Sequence, residues 1–151
     1  VSVIAAACAG FLVAVLWMDL IFDSQVLRHR GVEELPESVL ASIAGYYRRA
    51  TTTSRPMSYL IAFVMAILLG TLGFAWVDGP IAVWPLAVTS GLAGGPILLA
   101  VLHTVPNAVR LGARTGDLAK QSRLARSICR DHVICLACMV GFLAVWLTIP
   151  T

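Results

Sequence analysis

The chain has 151 residues, 59% of them hydrophobic and only 13% charged, with a formal net charge of +3 and a mean hydropathy of +0.87. A water-soluble domain is nearer a quarter charged, so the composition excludes an ordinary soluble protein and predicts one embedded in a membrane.

The first apolar segment, Val1 to Phe22, is long enough to cross a hydrocarbon core of about 30 Å, which takes about 20 residues in a helix. The stretch "AAACAG" around Cys8 superficially resembles a lipoprotein cleavage site, but the apolar run continues for ten residues beyond that cysteine. The helix is therefore expected to be retained. Near its end, "LWMDLIFDSQ" places Asp19 and Asp23 four residues apart, one helical step. After the turn residues of "RHRGVEELPE", the segment "SVLASIAGYYRR" carries Val39, Leu40, Ile43, Tyr46 and Tyr47 at helical spacing. That pattern predicts an amphipathic interfacial helix lying on the inner leaflet.

Arg55 and Pro56 open a second span, Pro56 to Trp76, and "VDGP" (Val77 to Pro80) turns the chain into a third, Ile81 to Leu102. The third contains "TSGLAGGPILL", with Gly91 and Gly95 in GxxxG spacing and Pro96 beside them, which predicts close helix packing or a kink. The connection "RTGDLAKQSRLARSICRDH" offers a turn at Thr115 and Gly116. Asp117 then serves as N-cap of a helix that runs into the fourth span, His132 to Ile149. The expected architecture is all-α: one domain over residues 1–151, an antiparallel four-helix membrane bundle with an interfacial helix between the first and second spans. All eleven Lys and Arg residues fall in the two long connections. By the positive-inside rule those connections are cytoplasmic and both termini are extracytoplasmic.

Counting inward from the outer ends brings Asp19 (about 27 Å), His132 (about 26 Å) and His103 (about 33 Å) to one level near the cytoplasmic side. Asp19 is followed by Leu20, Ile21 and Phe22, so it is expected to face the bundle interior and find a partner. His103, Asn107 and Arg110 recur at i, i+4 and i+7, and Arg130, Asp131 and His132 open the fourth span. Three readings stay open. Asp19 and Asp23 could pair with Arg55, Arg110 or Arg130 to tie helix ends, Asp23 being the stronger candidate for an arginine partner. A catalytic pocket would use His132 or His103 as proton acceptor, Asp19 to orient it, and Arg130 or Arg110 to stabilise an oxyanion, with Asn107, Arg110 and Trp17 contacting substrate. A metal site has the right ligand types, two His with one or two Asp, but no HxxxH or ExxH spacing supports it, and no cofactor is predicted. Cys8, Cys129, Cys135 and Cys138 read as small buried hydrophobes without chemistry.

The segments "YYRRATTTSRPMSYL", "VPNAVRLG" and "RSICRDH", in this order around the spans, resemble the anthrone-oxygenase-like (DUF1772) family of small four-helix membrane proteins. The match is in layout over nearly the whole chain and most specific at Pro106, Asn107, Arg110 and the region from Arg130 to His132. The resemblance implies cofactor-independent oxygenation of a flat hydrophobic substrate that enters from the bilayer. The expected partners are membrane lipids and a hydrophobic small molecule, and no nucleic acid. The alternative is a non-catalytic accessory subunit of a larger membrane complex or a homo-oligomer, favoured by small size and the GxxxG face. A transporter ranks third, since no internal repeat suggests alternating access.

Overall fold

The computed structural model describes residues 2–78 and 81–149. Val1 of the expected first span, and Gly79 and Pro80 of the expected turn, lie outside the described residues. The chain is an all-α integral membrane bundle. Helix α1 (Ser2–Asp23) tightens into a 3₁₀ stretch, Ser24–His29; α2 is Glu37–Arg48, α3 is Arg55–Asp78, α4 is Val83–Leu99, α5 is Val105–Gly112 and α6 is Leu118–Trp146. Four helical segments are long and apolar enough to span a membrane: Ser2–His29, Arg55–Val77, Val83–Gly112 and Leu118–Trp146.

The spans close into a ring in which α1 and α4 each pack between α3 and α6. Their inward residues recur at steps of three and four: Ala5, Cys8, Ala9 and Leu12 on α1, Leu68, Leu72 and Ala75 on α3, Leu86, Ala93 and Ile97 on α4, and Met139, Phe142 and Trp146 on α6. Phe142 stacks on Trp146, ring centroids 5.4 Å apart, and the Trp146 indole N–H donates to the Ser2 carbonyl at 3.0 Å.

Two spans are longer than a bilayer requires. The 30 residues of Val83–Gly112 and the 29 of α6 rise about 45 and 43 Å, against a hydrocarbon core of about 30 Å. The excess projects at the arginine-rich end, where a second apolar cluster forms from Leu40, Ile43, Ala44 and Tyr47 of α2 with Ala108 and Leu111 of α5 and Ala125, Ile128 and Cys129 of α6. The amphipathic pattern of α2 is as expected, but its apolar face is covered by protein and does not lie on lipid. Glu37, Ser38, Ser42 and Arg48 occupy the exposed face.

The third span also differs from expectation. It does not end at Leu102: the helix passes through a wide π turn, Ala100–Thr104, where the Val105 N–H reaches back five residues to the Ala100 carbonyl. Pro106 then sits in the first turn of α5, where its missing N–H is tolerated. Gly91 and Gly95 do not make the expected close contact, because Ala93, Pro96 and Ile97 take the inward face. Both glycines are exposed, and an added Cβ on either would meet nothing within 4 Å. The glycine that does permit close approach is Gly112, where a Cβ would lie 2.8 Å from the Arg48 backbone N and 3.1 Å from its Cα. There α5 and α2 meet backbone to backbone. At the other end of the connection Asp117 caps α6 as expected, accepting from the Lys120 N–H at 2.7 Å.

Candidate functional site

The polar residues of the arginine-rich end gather into two clusters that share α6. On one side α1 supplies Asp19 and Asp23, and α2 supplies Tyr46 and Tyr47. His132 Nδ1 lies 2.6 Å from Asp23 Oδ2. A carboxylate offers only acceptors, so Nδ1–H donates. The Tyr47 hydroxyl donates to the same carboxylate, 2.7 and 2.8 Å from its two oxygens. Tyr46 donates to Asp19 Oδ1 at 2.6 Å, and its ring stacks on Phe22 with centroids 4.2 Å apart. The other imidazole nitrogen, Nε2, faces Asp19 Oδ2 at 3.8 Å, beyond hydrogen-bond reach. Asp23 is fully buried, and His132 and Tyr47 nearly so.

Burial is costly for charged groups, and this cluster meets the cost with short charge-assisted bonds. Burial first, then hydrogen bonding to Asp19 and its charge, raises the Tyr46 hydroxyl above the usual phenol range. Burial, followed by the charges of Asp23 and Asp19, does the same for Tyr47. Both tyrosines are thereby held as neutral donors.

On the other side of α6, His103 Nδ1 lies 2.6 Å from Asp131 Oδ2, an oxygen that also accepts from the Thr104 hydroxyl at 3.2 Å. Asn107 Nδ2 lies 3.2 Å from His103 Nε2. An amide NH₂ only donates, so that ring nitrogen accepts. His103 therefore has both nitrogens engaged, whereas His132 keeps Nε2 without a hydrogen bond.

Of the residues expected from sequence, His132 and Asp19 meet in the first cluster, and His103 and Asn107 in the second. Arg110 and Trp17 stand apart, and Arg130 touches only the rim of the second cluster. The Arg130 side chain is 68% exposed and reaches Asp131 at 3.3 Å. Arg110 is exposed because the buried face of α5 runs through Asn107, Ala108 and Leu111, which leaves Arg110 on the outward side. Trp17 is 64% exposed and Tyr59 of α3, near the same end, 70%. Rings so placed suit a lipid-facing aromatic belt at the membrane boundary.

The expected arginine partner of Asp23 is also corrected. Its partners are Tyr47 and His132, because α2 and α6 seal the carboxylate from water while Arg55, Arg110 and Arg130 stay exposed. The role of orienting His132 thus falls to Asp23, with Asp19 at the far nitrogen. Sequence reasoning missed Tyr46 and Tyr47 as site members, read Asp23 as an arginine partner and gave Asp131 no role of its own. The four-residue step between Asp19 and Asp23, matched by adjacent tyrosines on an amphipathic helix, was the available signal.

Among the described residues, no three His, Cys, Asp or Glu side chains are arranged to hold a metal ion, and the four cysteines are free thiols. Comparison with protein-family models, curated proteins and solved structures finds no match to this chain.

Proposed function

We propose that this chain is a multi-pass membrane enzyme of the oxygenase type, in which His132 acts as general base on a hydrophobic substrate with an acidic C–H bond. One observation carries the reading: a buried carboxylate fixes Nδ1 of His132 at 2.6 Å and leaves Nε2 to take a proton. A carboxylate that orients an imidazole and holds its charge is the arrangement general-base catalysis uses. His103 lacks a comparable nitrogen. The arginine-rich end carries every Lys and Arg of the chain, so the site lies at the cytoplasmic face.

The resemblance to anthrone-oxygenase-like proteins supplies the substrate class, a flat ketone with an activated CH₂. The imidazole removes one proton, and the resulting enolate gives its electrons to dioxygen, forming a C–O bond and a hydroperoxide protonated by the imidazolium. Loss of the second C–H proton with O–O cleavage leaves a carbonyl and one water, so that one substrate and one dioxygen yield one quinone and one water.

The test is oxygen uptake by the detergent-purified protein with anthrone. The wild type should exceed the spontaneous rate, and His132→Gln should lower the enzymatic rate about 10²-fold or more. Wild-type uptake no faster than the spontaneous rate refutes the proposal. A second reading, a non-catalytic subunit, is favoured by the origin of Tyr46 and Tyr47 on α2, which makes the cluster a fastening between α2 and α1. Uptake unchanged in His132→Gln, together with lowered thermal stability, would select it.

A further inference from the structure

A groove of about 380 Å³ runs between the 3₁₀ stretch after α1 and one side of α6, and neither Asp23 nor His132 lines it. Its lining includes Arg30, Arg126 and Arg130, together with Leu27, Val133 and Ile134. The two halves of the groove differ in chemistry along α6. Arg126 and Arg130 lie one turn apart toward the arginine-rich end, and Val133 and Ile134 continue one turn further toward the bundle. From Arg126 to Ile134 the helix rises about 12 Å. Leu27, Val133 and Ile134 are each 43 to 48% exposed, so the apolar half opens to the surroundings of the bundle.

The cationic half is preorganised. Arg126 is held by the loop before α2, donating to the Glu33 carbonyl at 2.9 Å and to the Val32 carbonyl. These bonds use two of its five N–H groups and leave the remainder as donors. Neither Arg30 nor Arg126 has a carboxylate within ion-pair distance among the described residues, and Arg130 meets only Asp131, at 3.3 Å. No acidic residue lines the groove.

Three guanidinium groups above an apolar channel, at the depth where a bilayer changes from headgroup to hydrocarbon, complement an anion joined to an acyl chain. We infer that this groove binds one anionic phospholipid, its phosphate between Arg30, Arg126 and Arg130 and its first acyl carbons against Val133 and Ile134. Arg is suited to the headgroup because its planar donors engage phosphate in pairs. The apolar half gives the lipid an advantage over a free phosphate ester, since its chain stays out of water.

The full chain, exchanged into mixed micelles of phosphatidylcholine and phosphatidylglycerol in equal amounts, tests this by native mass spectrometry. One retained phosphatidylglycerol per chain is expected, in preference to phosphatidylcholine. Arg30→Gln with Arg130→Gln should weaken that preference by roughly fivefold per arginine. Arg123→Gln, which removes an exposed charge outside the groove, should leave it unchanged. Excess glycerol phosphate should not displace the lipid. An equal loss in Arg123→Gln would mean diffuse charge attraction, and displacement by glycerol phosphate would mean a phosphate-only site; either overturns the proposal. Should the double variant fail to fold, Arg130→Gln alone decides, because its side chain is largely exposed and loss of its 3.3 Å contact leaves Asp131 still bonded to His103 and Thr104.

Discussion

The molecule has two cores, and they are held together by different physics. The core among the four spans, centred on Leu68, Leu86 and Phe142, is surrounded by lipid as apolar as itself, so separating its helices exposes nothing to water. Packing and small numbers of hydrogen bonds must hold it. The core at the arginine-rich end, where Leu40 and Ile43 of α2 meet Leu111 and Ile128, adjoins a polar exposed face of α2. Unseating that helix exposes its apolar side to water, and the hydrophobic effect contributes in full. Asp23, Tyr47 and His132 sit at the junction of the two, where a buried carboxylate has partners from both α2 and α6.

The strongest way to break the comparison is at that junction. Asp23→Ala leaves His132 and the Tyr47 hydroxyl buried without their carboxylate, and should cost about 3–5 kcal/mol, read as the thermal midpoint in detergent. A loss below about 1 kcal/mol would mean that the cluster carries little of the fold.

Matched truncations sharpen the contrast. Leu40 and Leu68 are both fully buried, yet Leu40→Ala should lose transfer and cavity terms together, about 2–5 kcal/mol. Leu68→Ala should lose mainly packing and cost clearly less. Denaturant unfolding from mixed micelles compares them directly, and equal costs would place α2 in lipid.

Tyr47→Phe removes a hydrogen bond to a charged group and should cost about 1.5–3 kcal/mol. It should also alter the alkaline limb of stability. Because the folded protein raises both tyrosine hydroxyls, the unfolded chain releases those protons first, near pH 10. Stability is therefore full below that pH and falls as pH rises above it. The fall should be shallower in Tyr47→Phe, as followed by tyrosinate absorbance and melting.

Gly112→Ala forces a methyl against the Arg48 backbone and should cost about 1–3 kcal/mol, with proteolysis between α2 and α3 accelerated. Gly95→Ala, which meets nothing within 4 Å, should leave the monomer's stability near the wild type.

The four spans, the clustering of all Lys and Arg at one end, the Asp117 cap and the amphipathic face of α2 were legible because each is a local pattern of hydropathy, charge or capping. So were the interior placements of Asp19 and His132, since a carboxylate or imidazole among apolar neighbours must find a partner. The pairings themselves were not legible. Tyr47 and Asp23 are 24 residues apart and His132 lies 109 residues from Asp23, and only the seating of α2 decides that a tyrosine, not an arginine, reaches the carboxylate. The projection of Arg110 failed for a different reason: His103, Asn107 and Arg110 share a broad helical face, but α5 turns Asn107, Ala108 and Leu111 inward, and only its packing decides which edge of that face is buried. Trp17 and Arg130 have side chains suited to substrate and oxyanion, but a one-dimensional pattern neither distinguishes the inner from the outer side of a helix as apolar as α1 nor says which of Arg130, Asp131 and His132 turns inward.

The indole bond from Trp146 to the Ser2 carbonyl joins the first and last helices of the ring at the end away from the arginines. The same bond makes Trp146 a reporter of one seam. Its ring is almost fully buried, whereas Trp17, Trp76 and Trp84 are already exposed. Parting of α1 from α6 would wet that one indole and shift its emission to the red, so opening at this end of the bundle can be followed separately from the unseating of α2.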